Sequence, residues 1–407
     1  MKILDKLYNK DTKKVNFNFF ETDRIFQPYI ENLKIQGFHK QWHNEGCALN
    51  HMKLVHNAMC ELCDEYNIEG IERMILVVSA FLHDIGKSVT GILKEDGNWS
   101  FPNHAPIGGN IVRTILWDED INIRESICFF VRNHMKPQYI LYSKKKEYDM
   151  FKLSYECQFL PKITTLRNLW LIKVSDMLGC QKDETIEDDC EESLDFFKSL
   201  AIDLRIWDGK IKSCDKYRFE NKFDLFKYFN ENKGEIFPSV QYDNCEFNCY
   251  IMCGISGSGK STITQNLDEL KGLPIISRDI TRINLGICSK SEKKKGSKKE
   301  EDKVTEVNDE LISSLINEKK SFIIDDMNIR KEYREKIINN IRNHNGKPII
   351  VYVEADSFDT LVERRKNEVP QNILSDMRRY MSFPMPYEAV ELYICKQGNE
   401  IMKLPIL

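Results

Sequence analysis

The sequence predicts two domains, an all-α N-terminal half and an α/β C-terminal half. Three observations predict it. Seven of the eight histidines lie before residue 135, the densest glycine cluster lies at 254–259, and the spacing of apolar residues changes between these two regions. Apolar positions recur with helical period in 71–82 (IERMILVVSAFL), 107–116 (IGGNIVRTIL) and 166–178 (LRNLWLIKVSDML). Past residue 240, short apolar runs alternate with helical segments instead. The runs are 248–253 (NCYIMC), 274–277 (PIIS), 321–324 (SFII), 348–353 (PIIVYV) and 390–395 (VELYIC). Strands alternating with helices imply a parallel sheet with helices on both faces. We therefore divide the chain into a helical domain, 1–240, and an α/β domain, 241–407.

Composition agrees with this division. A chain of 407 residues with 42% hydrophobic and 30% charged residues is long enough for two or three globular domains. Lys and Arg number 59 against 63 Asp and Glu, which excludes a polycation that binds nucleic acid by bulk charge and leaves room for a local basic groove. No apolar stretch is long enough to span a membrane, and charges interrupt the N-terminus too often for a signal-peptide core. Thirteen scattered cysteines, an odd number, read as free thiols of a cytoplasmic protein. Cys60 and Cys63 form a C-x-x-C inside an amphipathic helix, without a second pair at zinc-ribbon spacing. The acidic stretch 183–192 reads as a solvated loop and helix start. The run 290–303 (KSEKKKGSKKEEDK) reads as a mobile, solvated surface loop.

Gly254-Ile255-Ser256-Gly257-Ser258-Gly259-Lys260-Ser261 matches G-x-x-x-x-G-K-[ST] between a strand and a helix. Its glycines permit backbone angles that turn successive N–H groups toward phosphate oxygens. Gly254, Ser256, Gly257, Ser258, Gly259, Lys260, Ser261 and Thr262 are thus the expected site for ATP or another nucleoside triphosphate. Lys260 would reach the β- and γ-phosphates and Ser261 the magnesium ion. Three further features bear on the acceptor. Asp279, in SRDITR, follows the strand expected beside this loop and can take a proton from an attacking hydroxyl. Asp325-Asp326-Met327-Asn328 follows the third strand and offers a carboxylate for magnesium or for the acceptor. Arg364 and Arg365, in LVERRKNEVP, suit a mobile lid that neutralises charge on the transferring phosphoryl group.

GISGSGKS, SRDITR, IIDDMN and LVERRKNEVP resemble the kinase domain of the phage-type polynucleotide 5'-kinase family, over about residues 245–407. The resemblance implies that Asp279 is the general base for a 5'-hydroxyl and that Arg282 contacts an acceptor phosphate. It also implies that Asp326 and Asn328 line the acceptor site and that Arg364 is the lid arginine. The family carries a second lid arginine about four residues away; here the segment reads Arg364-Arg365-Lys366, which leaves that role open.

In the N-terminal half, His83-Asp84 ends an apolar helix, and His51, His104, His134 and Asp176 each fall on or beside a helix. Imidazoles and carboxylates suit Mn, Fe, Co, Ni or Zn, and an aspartate can bridge two ions. This order resembles the HD phosphohydrolase superfamily, and GFHKQWHNEG…NHMKLVH resembles the HD domains of bacterial tRNA nucleotidyltransferases. The resemblance covers about residues 30–200. It implies one or two ions, the first on His51, His83, Asp84 and Asp176, and the second, where there is one, on Asp84, His104 and His134. Lys87 and His43 would be phosphate contacts.

The two halves together resemble bacterial fusions of an HD domain to a polynucleotide kinase. That resemblance implies an enzyme that heals RNA or DNA ends. One half would remove a 2',3'-cyclic phosphate or a 2'- or 3'-phosphate, the other would phosphorylate a 5'-hydroxyl, and a separate ligase would then seal. The alternative is a nucleotide phosphohydrolase fused to a nucleoside or sugar kinase.

Overall fold

A computed structural model describes residues 2–35, 45–157, 163–181, 189–208, 219, 221–234, 244–289, 296–396 and 401–404. The chain forms two compact units, Met1–Arg218 and Phe219–Leu407.

Five helices build the core of the first unit: α1 (Ala48–Glu65), α2 (Gly70–Leu82), α3 (His104–Ile115), α4 (Ile121–Asn133) and α5 (Leu166–Gly179). On α1 the buried Leu49, Met52, Val55, Met59, Leu62 and Cys63 recur at three- and four-residue spacing, so one stripe faces inward. On α2 every residue from Ile75 to Leu82 is buried, which makes it the central helix, packed against α1, α4 and α5. Asp120 caps α4 and Thr165 caps α5, each accepting from backbone N–H groups of the first turn. Cys60 and Cys63 are buried free thiols of α1. This half is not wholly helical. Strands β1 (Ile92–Leu93) and β2 (Trp99–Ser100) form an antiparallel ladder between α2 and α3, and Tyr8–Asn9 pairs likewise with Lys14–Val15. Two-residue strands are too short to show a period in the sequence.

The second unit holds β3 (Phe247–Cys253), α6 (Lys260–Asn266), β4 (Ile275–Ile276), α7 (Arg278–Asn284), α8 (Lys298–Asn317) and β5 (Phe322–Ile324). It continues with α9 (Lys331–Asn343), β6 (Gly346–Glu354), α10 (Phe358–Arg365), α11 (Gln371–Arg379), β7 (Glu391–Lys396) and β8 (Ile401–Leu404). The sheet order is β8-β7-β6-β3-β5-β4. All neighbours are parallel except β7 and β8, whose antiparallel pairing sets Ile401 opposite Cys395. Met252, Ile323, Val351, Val353, Tyr393 and Leu270 pack into one core cluster.

Three readings of the sequence are corrected here. The edge strand β8 was not foreseen, since the four residues IMKL are too few to show a period. Strand β4 does not lie beside the phosphate-loop strand, because β5 intervenes. Residues 290–303 are not one loop. Ser297 caps α8, accepting from Glu300 N while the Glu300 carboxylate accepts from Ser297 N, so 298–303 is helix. Residues 290–295 lie outside the described ones. Parallel β3, β5 and β4 bring their carboxyl ends to one edge, the edge where ligands bind in such sheets.

One buried charge cluster fixes α3 against α4. Glu125 accepts from Arg113 Nε at 2.9 Å and Nη2 at 2.8 Å, and from Arg124 Nε at 2.9 Å. Burial opposes its charge, but the two guanidiniums outweigh burial and bring its pKa down to about 2. A depressed carboxylate adds stability that is present above its unfolded value, about 4.5, and lost as pH falls through about 2. Glu125→Ala should cost about 3–5 kcal/mol at pH 7, because it strands two buried cations. It should also remove that acid-dependent part of the wild-type melting curve, read as Tm between pH 2 and 5.

Candidate functional site

The first unit gathers its six expected ligands, five of them around Asp84, which is 1% exposed. His83 and Asp84 end α2, His51 lies on α1, His104 opens α3, His134 ends α4 and Asp176 lies on α5. Asp84 Oδ2 faces His83 Nε2 at 3.2 Å and His51 Nε2 at 3.7 Å. Asp176 Oδ1 lies 2.9 Å from His51 Nε2 and 3.4 Å from His83 Nε2. Asp84 Oδ1 faces the other way, 3.3 Å from His104 Nε2 and 3.7 Å from His134 Nε2, which are themselves 3.3 Å apart. One carboxylate thus serves two histidine pairs.

The rings are aimed from behind. Nδ1 of His83 donates to Ala80 O, that of His104 to Phe101 O and that of His134 to Val131 O, at 2.8–2.9 Å. Each carbonyl fixes the tautomer that turns a bare Nε2 inward. For His51 the second nitrogen meets Glu45 Oε1 at 2.9 Å. Glu45 was missed by sequence reasoning, although it lies in the GFHKQWHNEG stretch just before α1. Gly86 explains the approach of α2 to α3, since a Cβ there would lie 2.0 Å from His104 O.

These donors fit divalent metal ions. Asp84 Oδ1 is buried, makes no hydrogen bond among the described residues and faces the inward Nε2 atoms of His104 and His134, an arrangement that costs stability unless a cation satisfies it. Three subsets of the six place their ligand atoms within 4.8 Å of one another: His51, His83 and Asp84; His83, His134 and Asp176; and Asp84, His104 and His134. Burial pushes His104 and His134 down from the usual imidazole range, which favours the neutral, ligating form. On His83 burial is outweighed by the Asp84 and Asp176 charges, which push it up to about 9. Lys87 Nζ stands 2.5 Å from Asp84 Oδ2, and the buried Lys173 Nζ 2.7 Å from Asp176 Oδ2. Lys173 was not among the expected site residues. His43 lies outside the described residues. His56, by contrast, accepts Val15 N–H and is structural.

In the second unit, Gly257 and Gly259 hold the phosphate loop with φ of +86° and +101°. Lys260 Nζ donates to Gly254 O at 2.9 Å and Ile255 O at 3.2 Å. Its burial pushes the ammonium down, against the Asp325 charge. Ser261 and Thr262 are exposed on α6, Ser256 is half-buried, and Ser258 is buried. The 325–328 turn is tied to this loop. Gly254 N donates to Met327 O, and Asn328 Nδ2 to Met252 O. The fully buried Arg334 donates to Asn328 O and pairs with Glu388. Asn328 therefore spends its amide on the phosphate-loop strand.

Asp279, in the first turn of α7, is about half exposed and meets Arg282 Nη1 at 2.7 Å. Asp326 Oδ1 accepts Arg278 N at 3.2 Å, and burial pushes its carboxyl up. Glu301 of α8, also missed, binds Arg282 through Nε and Nη2 and Arg278 through Nη2. The Arg282 guanidinium brings the Glu301 pKa down to about 2. Arg364 Nη1 donates to Gly257 O at 3.0 Å, and Arg365 packs on Gly257 while pairing with Glu368. Lys366 turns outward to Glu363. Both arginines touch the phosphate loop and the lysine does not.

Comparison with known proteins agrees with this division of chemistry. Residues 48–165 match the model of the HD domain, and residues 250–384 match that of the AAA domain. The match to the HD domain thus precedes the match to the AAA domain along the chain. The HD match covers every ligand above except Asp176. A crystal structure of a putative kinase from Chloroflexus aurantiacus J-10-fl is similar at 18% identity, over 37% of this chain and 87% of that one, with a TM-score of 0.30. No curated protein matches. Among the described residues no helix is long and apolar enough to cross a membrane.

Ligation requires an unprotonated His83. Binding of Mn²⁺ or Co²⁺ at pH 7 should therefore release a proton, seen as a calorimetric enthalpy that depends on the buffer. The release should disappear in His83→Ala. Glu45→Gln should weaken metal binding about 10- to 100-fold while leaving the ligands in place.

Proposed function

We propose that this chain heals broken nucleic-acid ends. The HD unit hydrolyses 2',3'-cyclic phosphate or 2'/3'-phosphate ends, and the kinase unit phosphorylates 5'-hydroxyl ends of RNA or DNA. A separate ligase then seals them. The reading rests on the acceptor side of the kinase unit, where the half-exposed Asp279 meets Arg282 at 2.7 Å and Arg282 is held in turn by Glu301. A half-exposed carboxylate positioned by a guanidinium can take the proton of an attacking hydroxyl, which supports a 5'-hydroxyl acceptor.

In the HD unit, one ion would be held by His51, His83, Asp84 and Asp176, and a second by Asp84, His104 and His134. Divalent ions held by these residues would lower the pKa of a bound water toward 7 and so supply a nucleophile for the phosphoester. Lys87 neutralises a phosphate oxygen, and the histidine Nδ1–H bonds keep the ligand rings from rotating. In the kinase unit, ATP and Mg²⁺ bind the 254–262 loop. Asp279 takes the proton of the 5'-hydroxyl as its oxygen attacks the γ-phosphorus and the bond to the bridging oxygen breaks, releasing ADP. Arg364 and Lys260 balance the charge on the moving phosphoryl group.

The test is one RNA oligonucleotide bearing a 5'-hydroxyl and a 2',3'-cyclic phosphate, incubated with protein, ATP, Mg²⁺ and Mn²⁺, with both ends resolved. Both ends should change. Asp279→Ala should lower 5'-phosphorylation at least about 100-fold and spare the 3' reaction; Asp84→Ala should do the reverse. An untouched RNA alongside reacting free nucleosides would contradict the reading.

A further inference from the structure

We propose that the face of the β1–β2 hairpin carrying Leu93, Trp99 and Phe101 seats the nucleobase of the phosphate-bearing terminal nucleotide. The HD unit would then discriminate against phosphoesters that lack a base. The inference rests on reading that unit as a phosphoesterase for nucleotide ends.

The hairpin is wired to the metal-ligating cluster. The Phe101 carbonyl accepts the Nδ1–H of His104 at 2.9 Å. Lys87 Nζ, 2.5 Å from Asp84 Oδ2, stands 5.3 Å from the centre of the Phe101 ring. Phe101 is thus one side chain removed from the carboxylate shared by the two histidine pairs. Trp99 extends this surface outward. Its ring lies 6.4 Å from that of Phe101 with 12° between their planes, as two residues on one side of an extended segment allow. Across the ladder Leu93 pairs with Trp99, so its side chain falls on the same face, and it is 59% exposed. Trp99 and Phe101 are only partly buried.

The order of groups matches a nucleotide. First come the ligands that would meet the phosphate, then an ammonium, then two near-parallel aromatic rings edged by an aliphatic side chain. A ladder of two-residue strands gains little from holding a tryptophan and a leucine half in water. A flat π-surface beside a phosphate site gains much from covering by a base, since one base stacked on an aromatic side chain strengthens binding about 5- to 100-fold. Stacking reads no base edge, so the seat accepts all four bases.

The test uses the full-length, Mn²⁺-loaded protein and two esters with the same reacting group, adenosine 2',3'-cyclic phosphate and 1-O-methylribose 2',3'-cyclic phosphate. The wild type should prefer the adenosine ester in kcat/KM by about 5- to 100-fold, chiefly through KM. Trp99→Ala should bring that ratio close to unity. A ratio near unity in the wild type, or one retained in Trp99→Ala, overturns the proposal. A second readout needs no turnover. Adenosine 3'-monophosphate should quench tryptophan fluorescence where ribose 3-phosphate does not. Trp99→Phe should abolish the quenching while calorimetry still detects binding. Quenching that persists in Trp99→Phe overturns the proposal. If neither ester is hydrolysed, the phosphoesterase reading falls, and the quenching still decides whether the base sits on Trp99.

Discussion

Everything in the HD unit depends on one buried carboxylate. Asp84 turns one oxygen toward His51 and His83 and the other toward His104 and His134. Burial by itself would raise its pKa, and the His83 and Lys87 charges hold it well below the usual range instead. Helices α1, α3 and α4 and the end of α2 converge on a group that would destabilise the fold if left unpaired. The same device positions three of the four rings. Each histidine gives its Nδ1–H to the carbonyl three residues upstream, so a local turn aims a distant nitrogen. A metal ion held there would relieve buried polar atoms that the packing has already placed, which would couple function to folding at one point.

The second unit solves a different problem, holding a glycine loop in a conformation that few residues adopt. Its restraints come from the neighbouring strand end. Met327 and Asn328 bond the backbone of Gly254 and Met252, and the buried Arg334–Glu388 pair holds Asn328 in turn, with φ of +44°. Across the same edge Glu301 gathers Arg278 and Arg282, and Arg282 in turn pairs with Asp279. Loop, turn and the Asp279 carboxylate are parts of one braced edge. The helix α8 that supplies Glu301 is secured by its own capping box.

Much of this was legible in the sequence, for physical reasons. Helices such as 71–82 and strands such as 248–253 follow from apolar spacing, because burial of one face or of both leaves a period. The six clustered histidines and aspartates were legible because these residue types rarely recur on apolar helices without a shared partner. Glu45, Lys173 and Glu301 were not, since a carboxylate or ammonium that supports a ligand looks like any surface charge until the fold buries it. The helical start at 298–303 was hidden by its own lysines and glutamates, which are as common on solvated helices as in loops. Strand order failed for a similar reason. Sequence order set β4 next to β3, and only hydrogen bonding reveals that β5 lies between them.

The bridging role of Asp84 is tested most directly by electron paramagnetic resonance of the full-length protein titrated with Mn²⁺. A shared carboxylate predicts that the second equivalent converts the signal of isolated ions into that of an exchange-coupled pair, and that Asp84→Asn abolishes the coupling. Two equivalents that bind tightly and keep the resolved hyperfine pattern of isolated ions would contradict a carboxylate held in common.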